Sequence, residues 1–292
     1  MSASRQLVMR RGGGLLAVYA AAALWSTIGV AARLGYTAGC SPLGMLVARQ
    51  ALAALATLLG LLARLYRPSV VLDRRVIGIA LTLFTPFYVS YYYAVEALGV
   101  GRAAALLYMA PAWVLAYQLI LEHRRPGSSK LLATVFTIAG ALLLAGEAWR
   151  GLVSPRGLVW GLASGAFYAA TVYAAARIIA GLEPSSVAAG TQAWLLLGAL
   201  AATAVMPGGV EVTLQCLPAA AYLAIVVGHL SYILFYRGLS KGVEPHRASI
   251  AATLELVLSM AWGWLLFSEP FTVLYGAGVA LIAAAQLLAG RG

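Results

Sequence analysis

PLGMLVARQALAALATLLGLLA, residues Pro42 to Ala63, carries a single charge, Arg49, in an otherwise apolar run opened by a proline. About 20 apolar residues in a helix span the roughly 30 Å of a bilayer's hydrocarbon core, and this run is long enough to do so. Nine further runs bounded by charges, Gly or Pro read the same way. They are Leu15 to Gly35, Val76 to Leu98, Ala103 to Leu121, Leu131 to Trp149 and Gly157 to Leu182, then Pro184 to Met206, Pro218 to Leu239, Arg247 to Phe267 and Phe271 to Leu288. The expected fold is an all-α integral membrane protein of ten transmembrane helices. A cleaved signal peptide is the rival reading of the first run, but its apolar stretch outlasts an ordinary signal core.

Composition agrees with a chain whose solvent is lipid. Hydrophobic residues make up 62% of the 292 and charged ones 10%, with a mean hydropathy of +0.89. A soluble domain of this size could not bury so much apolar side chain. The net charge of +11 is scattered between the apolar runs instead of gathered on one module, which argues against a nucleic-acid partner. Two cysteines, Cys40 and Cys216, are too few for a disulfide scaffold, and no CxxC or His/Cys cluster suggests a metal. No cofactor is implied.

The basic residues also orient the chain. With the N-terminus in the cytoplasm, 15 of the 20 Lys and Arg fall on inner segments, among them Arg5, Arg10, Arg11, Arg124, Arg125, Lys130, Arg237, Lys241 and Arg291. Arg33, Arg102, Arg150 and Arg156 fall outside. Positive-inside bias therefore predicts a multi-pass protein of the cell membrane with both termini cytoplasmic. This topology puts Cys40 and Cys216 in loops on the same outer side, where a disulfide requires Cα atoms within about 7 Å.

A weak internal repeat divides the chain into halves, 1–150 and 151–292. Ala31-Ala32-Arg33 recurs as Ala175-Ala176-Arg177, Pro42 and Gln50 recur as Pro184 and Gln192, and Ser90-Tyr91 as Ser231-Tyr232, at offsets of 144, 142 and 141 residues. Their order and nearly constant spacing argue against chance. Five helices is an odd number, so the second copy enters the membrane upside down. Inverted repeats around a midplane site are a recurring plan among secondary transporters, with small-molecule substrates and the lipid bilayer as partners.

Two stretches carry a family resemblance. Ala103-Ala104-Ala105-Leu106-Leu107-Tyr108-Met109-Ala110-Pro111, then Glu122 and Gly140-Ala141-Leu142-Leu143-Leu144, resemble the end of an EamA repeat of the drug/metabolite transporter superfamily. Leu254-Glu255-Leu256, Glu269 and Gly278-Val279-Ala280-Leu281-Ile282 resemble its second copy, with Leu256 where the family usually has proline. The resemblance implies two five-helix repeats and a facilitator or proton-coupled carrier of amino acids, related metabolites or drugs, often an exporter.

Polar groups inside the bilayer are the candidate site. A charge at the bilayer centre costs at least about 2.5 to 3.5 kcal/mol, so Arg49 and Glu255, each about eight residues into its span, need a partner or a wet cavity. Facing one central cavity, Arg49 would hold a substrate carboxylate and Glu255 a substrate amine or a coupling proton. A static ion pair locking two helices is the alternative. On the eighth helix His229, Tyr232 and Tyr236 stand at i, i+3 and i+7, predicting a shared face, and Tyr88 and Tyr91 occupy the equivalent places on the third. Gln50 and Gln192 are repeat mates that either bond substrate or join helices. Trp25, Ser26, Tyr168 and Thr171 offer aromatic faces, for which an interfacial belt is the other explanation.

Other classes fit poorly. Ser164-Gly165 lacks the Gly-x-Ser-Gly spacing, and His123, His229 and His246 stand too far apart for a His-Glu-x-x-His helix. A P-loop is absent as well. A nonenzymatic scaffold or assembly protein is the remaining rival.

Overall fold

The computed structural model describes residues 3–98, 100–144, 154–178, 181–205, 209–267 and 273–289. Arg150, Glu269, Arg291, the 150/151 repeat boundary and the expected helix ends Trp149, Met206 and Phe271 lie outside the described residues. Among the described residues every element is helical. The order begins α1 (Ala3–Trp25), α2 (Ile28–Thr37), α3 (Pro42–Leu62), α4 (Pro68–Val71), α5 (Arg74–Ile79), α6 (Thr85–Leu98), α7 (Val100–Leu107) and α8 (Ala110–Glu122). It continues with α9 (Ser128–Leu144), α10 (Pro155–Ile178), α11 (Pro184–Val205), α12 (Leu217–Tyr222), α13 (Ser231–Ser240), α14 (Pro245–Ala252), α15 (Leu254–Phe267) and α16 (Val273–Ala289).

Seven helical runs among the described residues are long and apolar enough to cross a membrane: Gly12–Thr37, Leu43–Leu62, Arg102–Glu122, Pro155–Ile178, Pro184–Val205, Leu214–Ser240 and Pro245–Leu266. α9 and α16 are shorter apolar helices of 17 residues each. The expected third span is carried by α5, a π-helical segment Ala80–Phe84 and α6.

Where one span was expected, three of these runs are interrupted. The first run turns at Ser26 and Thr27 between α1 and α2, the fourth at Tyr108 and Met109, the ninth at Thr253. At the fourth, Pro111 has no N–H and its ring crowds the carbonyl one turn earlier, so a fresh helix starts with the proline in its first turn. The ninth has Leu256 in place of proline and breaks all the same. There the Thr253 hydroxyl and backbone N–H both donate to the Ile250 carbonyl, at 2.6 and 3.0 Å, and Gln286 Nε2 donates to it at 2.7 Å. Three donors on one carbonyl hold the tightened turn. Thr27 repeats the device, its hydroxyl donating to Leu24 O at 2.7 Å.

The third and eighth spans share another feature invisible to pattern reading. Ala80–Phe84 and Leu223–Leu230 are both π-helical, widened turns that tend to occur at functional positions.

The chain divides into two compact units, each drawing on both sequence halves. One comprises 1–85 and 175–242, the other 86–174 and 243–292. In the first, α1 packs on α13 and α3 on α11. Gly238 permits the α1 contact, because a Cβ there would lie 2.8 Å from the Gly14 carbonyl oxygen. In the second, α9 packs along α16 over a core of Tyr108, Ala141, Leu144, Leu256 and Ile282.

Two loops of the first unit are stitched together. Cys40 and Cys216 form a disulfide with Cα atoms 6.0 Å apart. Beside it Ser41 Oγ donates to Gly209 O at 2.7 Å and Thr213 Oγ1 to Ala38 O at 2.6 Å. Mass spectrometry of unreduced protein is expected to find the two cysteine peptides linked. Recovery of both thiols free from protein kept under oxidising conditions would contradict the bond.

Candidate functional site

The ten site residues named from sequence fall into two groups. Trp25, Arg49, Gln50, Gln192, His229 and Tyr232 belong to the first unit; Tyr88, Tyr91, Tyr168 and Glu255 belong to the second.

In the first unit, α3 and α11 run antiparallel. The Arg67 N–H, just past α3, donates to Ser186 Oγ near the start of α11, at 2.8 Å, while Ser41 N–H meets Glu211 O beyond the other end, at 3.0 Å. Between these ends Thr57 Oγ1 donates toward Ala53 O or Ala189 O, both at 3.0 Å, and lies 2.9 Å from His229 Nε2. His229 Nδ1 meets Ala224 O, five residues back, at 3.0 Å, a partner that only a π turn presents. Arg49 lies within electrostatic reach of His229, and Arg49, Gln50, Thr57, Gln192 and His229 are all buried. Sequence reading missed Thr57. Its position seven residues after Gln50, on the same helix face, was the available signal.

Trp25 and Tyr232 form a separate aromatic group in that unit. Trp25 Nε1 donates to Val227 O at 3.2 Å, and the Trp25 ring lies 5.1 Å from Tyr232 and 5.2 Å from Phe235. Phe84, in the other π segment, lies 5.4 Å from Tyr232. His229 therefore turns to α3 while Tyr232 turns to α1; Tyr232 and Tyr236 still meet, with ring centroids 5.7 Å apart, but His229 leaves the face expected for the three. With i→i+5 bonding a turn holds more residues, so i+3 no longer returns to the same side.

In the second unit the carboxyl group of Glu255 is hydrogen-bonded to the Tyr108 hydroxyl. Each stands at a helix break, Tyr108 in the α7–α8 turn and Glu255 two residues after Thr253, so the breaks place the two groups. Tyr91 and Tyr168 lie within electrostatic reach of the Tyr108 hydroxyl. Phe87 fills the space beside them, 5.4 Å from Tyr168, 6.3 Å from Tyr91 and 4.8 Å from Tyr88. Tyr108 is buried and Glu255 half-buried. Sequence reading quoted Tyr108 only as part of a motif.

Charges at the helix ends are satisfied locally. Burial raises the Glu183 carboxyl, but bonds from Ser185 and Ser186 outweigh it and hold its pKa at about 2. Hydrogen bonds from Arg75 hold Asp73 at about 2. Burial also raises Glu244, the residue before α14, yet Lys130 and Gln118 bring it below the usual carboxylate range. Lys130 Nζ pairs directly with Glu244, and Gln118 Nε2 donates to it at 3.1 Å. Glu244 thereby ties the start of α14 to α8 and α9, while Asp73 and Glu183 bond within the first turns of α5 and α11.

Apolar helices of bilayer length, internally broken, with buried polar side chains gathered at the breaks and π turns, make this a multi-pass membrane protein. Its sequence matches the EamA-like transporter family over residues 12–146 and again over 155–291, so the chain belongs to that family of drug/metabolite transporters. No curated protein matches it. A solved structure described only as the crystal structure of a protein has a similar fold, with a TM-score of 0.78 at 19% identity, covering 96% of this chain and 97% of that one.

Proposed function

We propose that the protein is a secondary transporter of small organic metabolites, amino-acid-like or drug-like, exporting them by alternating access around a midplane cavity. In this reading it spans the cell membrane ten times as two inverted five-helix repeats, 1–150 and 151–292, with both termini cytoplasmic. It carries no resident cofactor, binds no nucleic acid and performs no catalysis. Protons are the proposed coupling ion. Arg49, Gln50, Gln192, His229, Trp25 and Tyr232 in one unit, and Glu255, Tyr88, Tyr91 and Tyr168 in the other, are the proposed substrate-facing groups, with Arg49 and Glu255 serving transport more than folding.

The observation that carries the reading is Glu255. A carboxyl held mid-span by a tyrosine hydroxyl at two helix breaks, among further tyrosines, is an expensive arrangement with no evident role in closing the core. It suits exchange of a proton for a cationic solute group.

Reconstituted vesicles offered labelled amino acids, nucleosides and drugs, with and without a pH gradient, test it. Movement of at least one class is expected, faster with the gradient. A chain that moves none yet binds a partner protein is a scaffold. Orientation is tested by single-cysteine labelling: the 122–130 and 237–247 segments should react only from the cytoplasmic side and the 206–217 segment only from outside. Outside labelling of 122–130 would overturn the inverted repeat.

A further inference from the structure

Gln50 and Gln192 are 1% and 0% exposed, and none of their four amide nitrogens and oxygens has a hydrogen-bond partner among the described residues. Native interiors keep few such groups, because a buried donor or acceptor left unanswered forfeits its bonds to water. Here there are two complete amides, on facing helices and at repeat-related positions.

Their placement is definite. On the antiparallel pair α3 and α11, Gln50 stands seven residues before Thr57 and Gln192 three after Ala189, the two residues joined by a hydrogen-bonding contact of 3.0 Å. Both therefore lie on the same side of that contact, staggered along the pair by about four residues, or about 6 Å. The Gln192 amide is pressed against the π segment: a Cβ on Gly228 would sit 3.1 Å from its Oε1.

The kind of group that answers them follows by counting. Two Nε2 amide groups donate and two Oε1 oxygens accept. A carboxylate only accepts and leaves both oxygens unanswered; an ammonium only donates and leaves both amide N–H groups unanswered. A carboxamide or a hydroxyl does both. We propose that Gln50 and Gln192 form a subsite for a neutral group that donates and accepts at once, supplied by a carboxamide or hydroxyl of the solute, or by water as the other source of the same chemistry. This deepens the transport reading and rests on it, and it adds a preference that Arg49 and Glu255 would not produce.

The test uses matched pairs differing only in amide against acid: glutamine and glutamate, asparagine and aspartate, nicotinamide and nicotinate. Their affinities are measured on the purified full chain by ligand-induced thermal shift. Each amide is expected to bind at least about tenfold tighter than its acid. In the double variant Gln50→Leu with Gln192→Leu the ratio should fall to unity or below it, because Arg49 remains to favour the acid, while the ligand-free Tm holds or rises, since apolar replacement removes two unanswered amides. A parental ratio near one, including no measurable binding of the three amides, overturns the subsite. So does a ratio that survives in the double variant. A ligand-free Tm that falls in that variant, with no amide preference in the parent, assigns the amides to structural water. Vesicle flux is read separately: flux without amide preference sinks the subsite alone, and amide preference without flux sinks the transport reading alone.

Discussion

Glu255→Gln is expected to fold as the parent does and to lose most of its substrate flux. The glutamine oxygen still accepts the hydrogen bond that the Tyr108 hydroxyl makes to Glu255, and the side chain keeps its shape, so the two helix breaks keep their link. What disappears is the capacity to carry a negative charge, and with it the means to hold either a proton or a cationic solute. Flux in vesicles should fall by at least about tenfold, equivalent to about 1.4 kcal/mol, and the remainder should not respond to a pH gradient. Glu255→Leu separates packing from chemistry. It removes the acceptor and leaves the buried Tyr108 hydroxyl unanswered, which costs about 1 to 3 kcal/mol and should lower the Tm where Glu255→Gln does not. Parental flux in Glu255→Gln would end the role given to this carboxyl.

What could be read from sequence followed from strong, local physics. Long apolar runs must meet lipid whatever the rest of the chain does, so Pro42–Leu62, Pro184–Val205 and Pro155–Ile178 form close to their expected bounds. Arg49, Gln50, Gln192, His229 and Glu255 stood out because ionisable and amide groups are costly mid-span, and the first four are buried among helices of one unit. The rest depended on contacts distant in sequence. The break at Thr253 needs Gln286, 33 residues on, to share the Ile250 carbonyl, and no proline announces it. The π segments change which face His229 presents, and no residue type marks a π turn as Pro marks a kink. Two repeats were legible as halves of a chain. That each compact unit takes helices from both halves was not, because a repeat in sequence says nothing about which copies of its helices pack together.

The second large effect is expected at Gly140 and Gly278, the glycines that open the closing motif of each half. A Cβ added at Gly140 would lie 2.9 Å from the Gly278 carbonyl oxygen and 2.8 Å from Ile282 Cγ1; one added at Gly278 would lie 2.9 Å from the Gly140 carbonyl oxygen and 2.8 Å from Leu144 Cγ. The contact is reciprocal and made by backbone, so no side chain can swing aside to relieve it. Between helices in lipid there is no hydrophobic drive to compensate, since the acyl chains are as apolar as leucine, and close backbone approach supplies the packing itself. Either glycine changed to Ala should cost about 1 to 3 kcal/mol as overpacking, and Leu at either place should separate α9 from α16. The loss should reach the site, because Leu144 and Ile282 belong to the core that holds Tyr108, the hydrogen-bond partner of Glu255, and Leu256, its neighbour in the chain. Gly276 is the control in the same helix. A Cβ there meets nothing within 4 Å, so Gly276→Ala should leave the stability unchanged or raise it by up to about 1 kcal/mol of helix propensity, with a Tm equal to or above the parent's. Thermal unfolding of the three alanine variants in one detergent decides the matter: if Gly140→Ala and Gly278→Ala melt with Gly276→Ala, the two helices do not cross at these glycines.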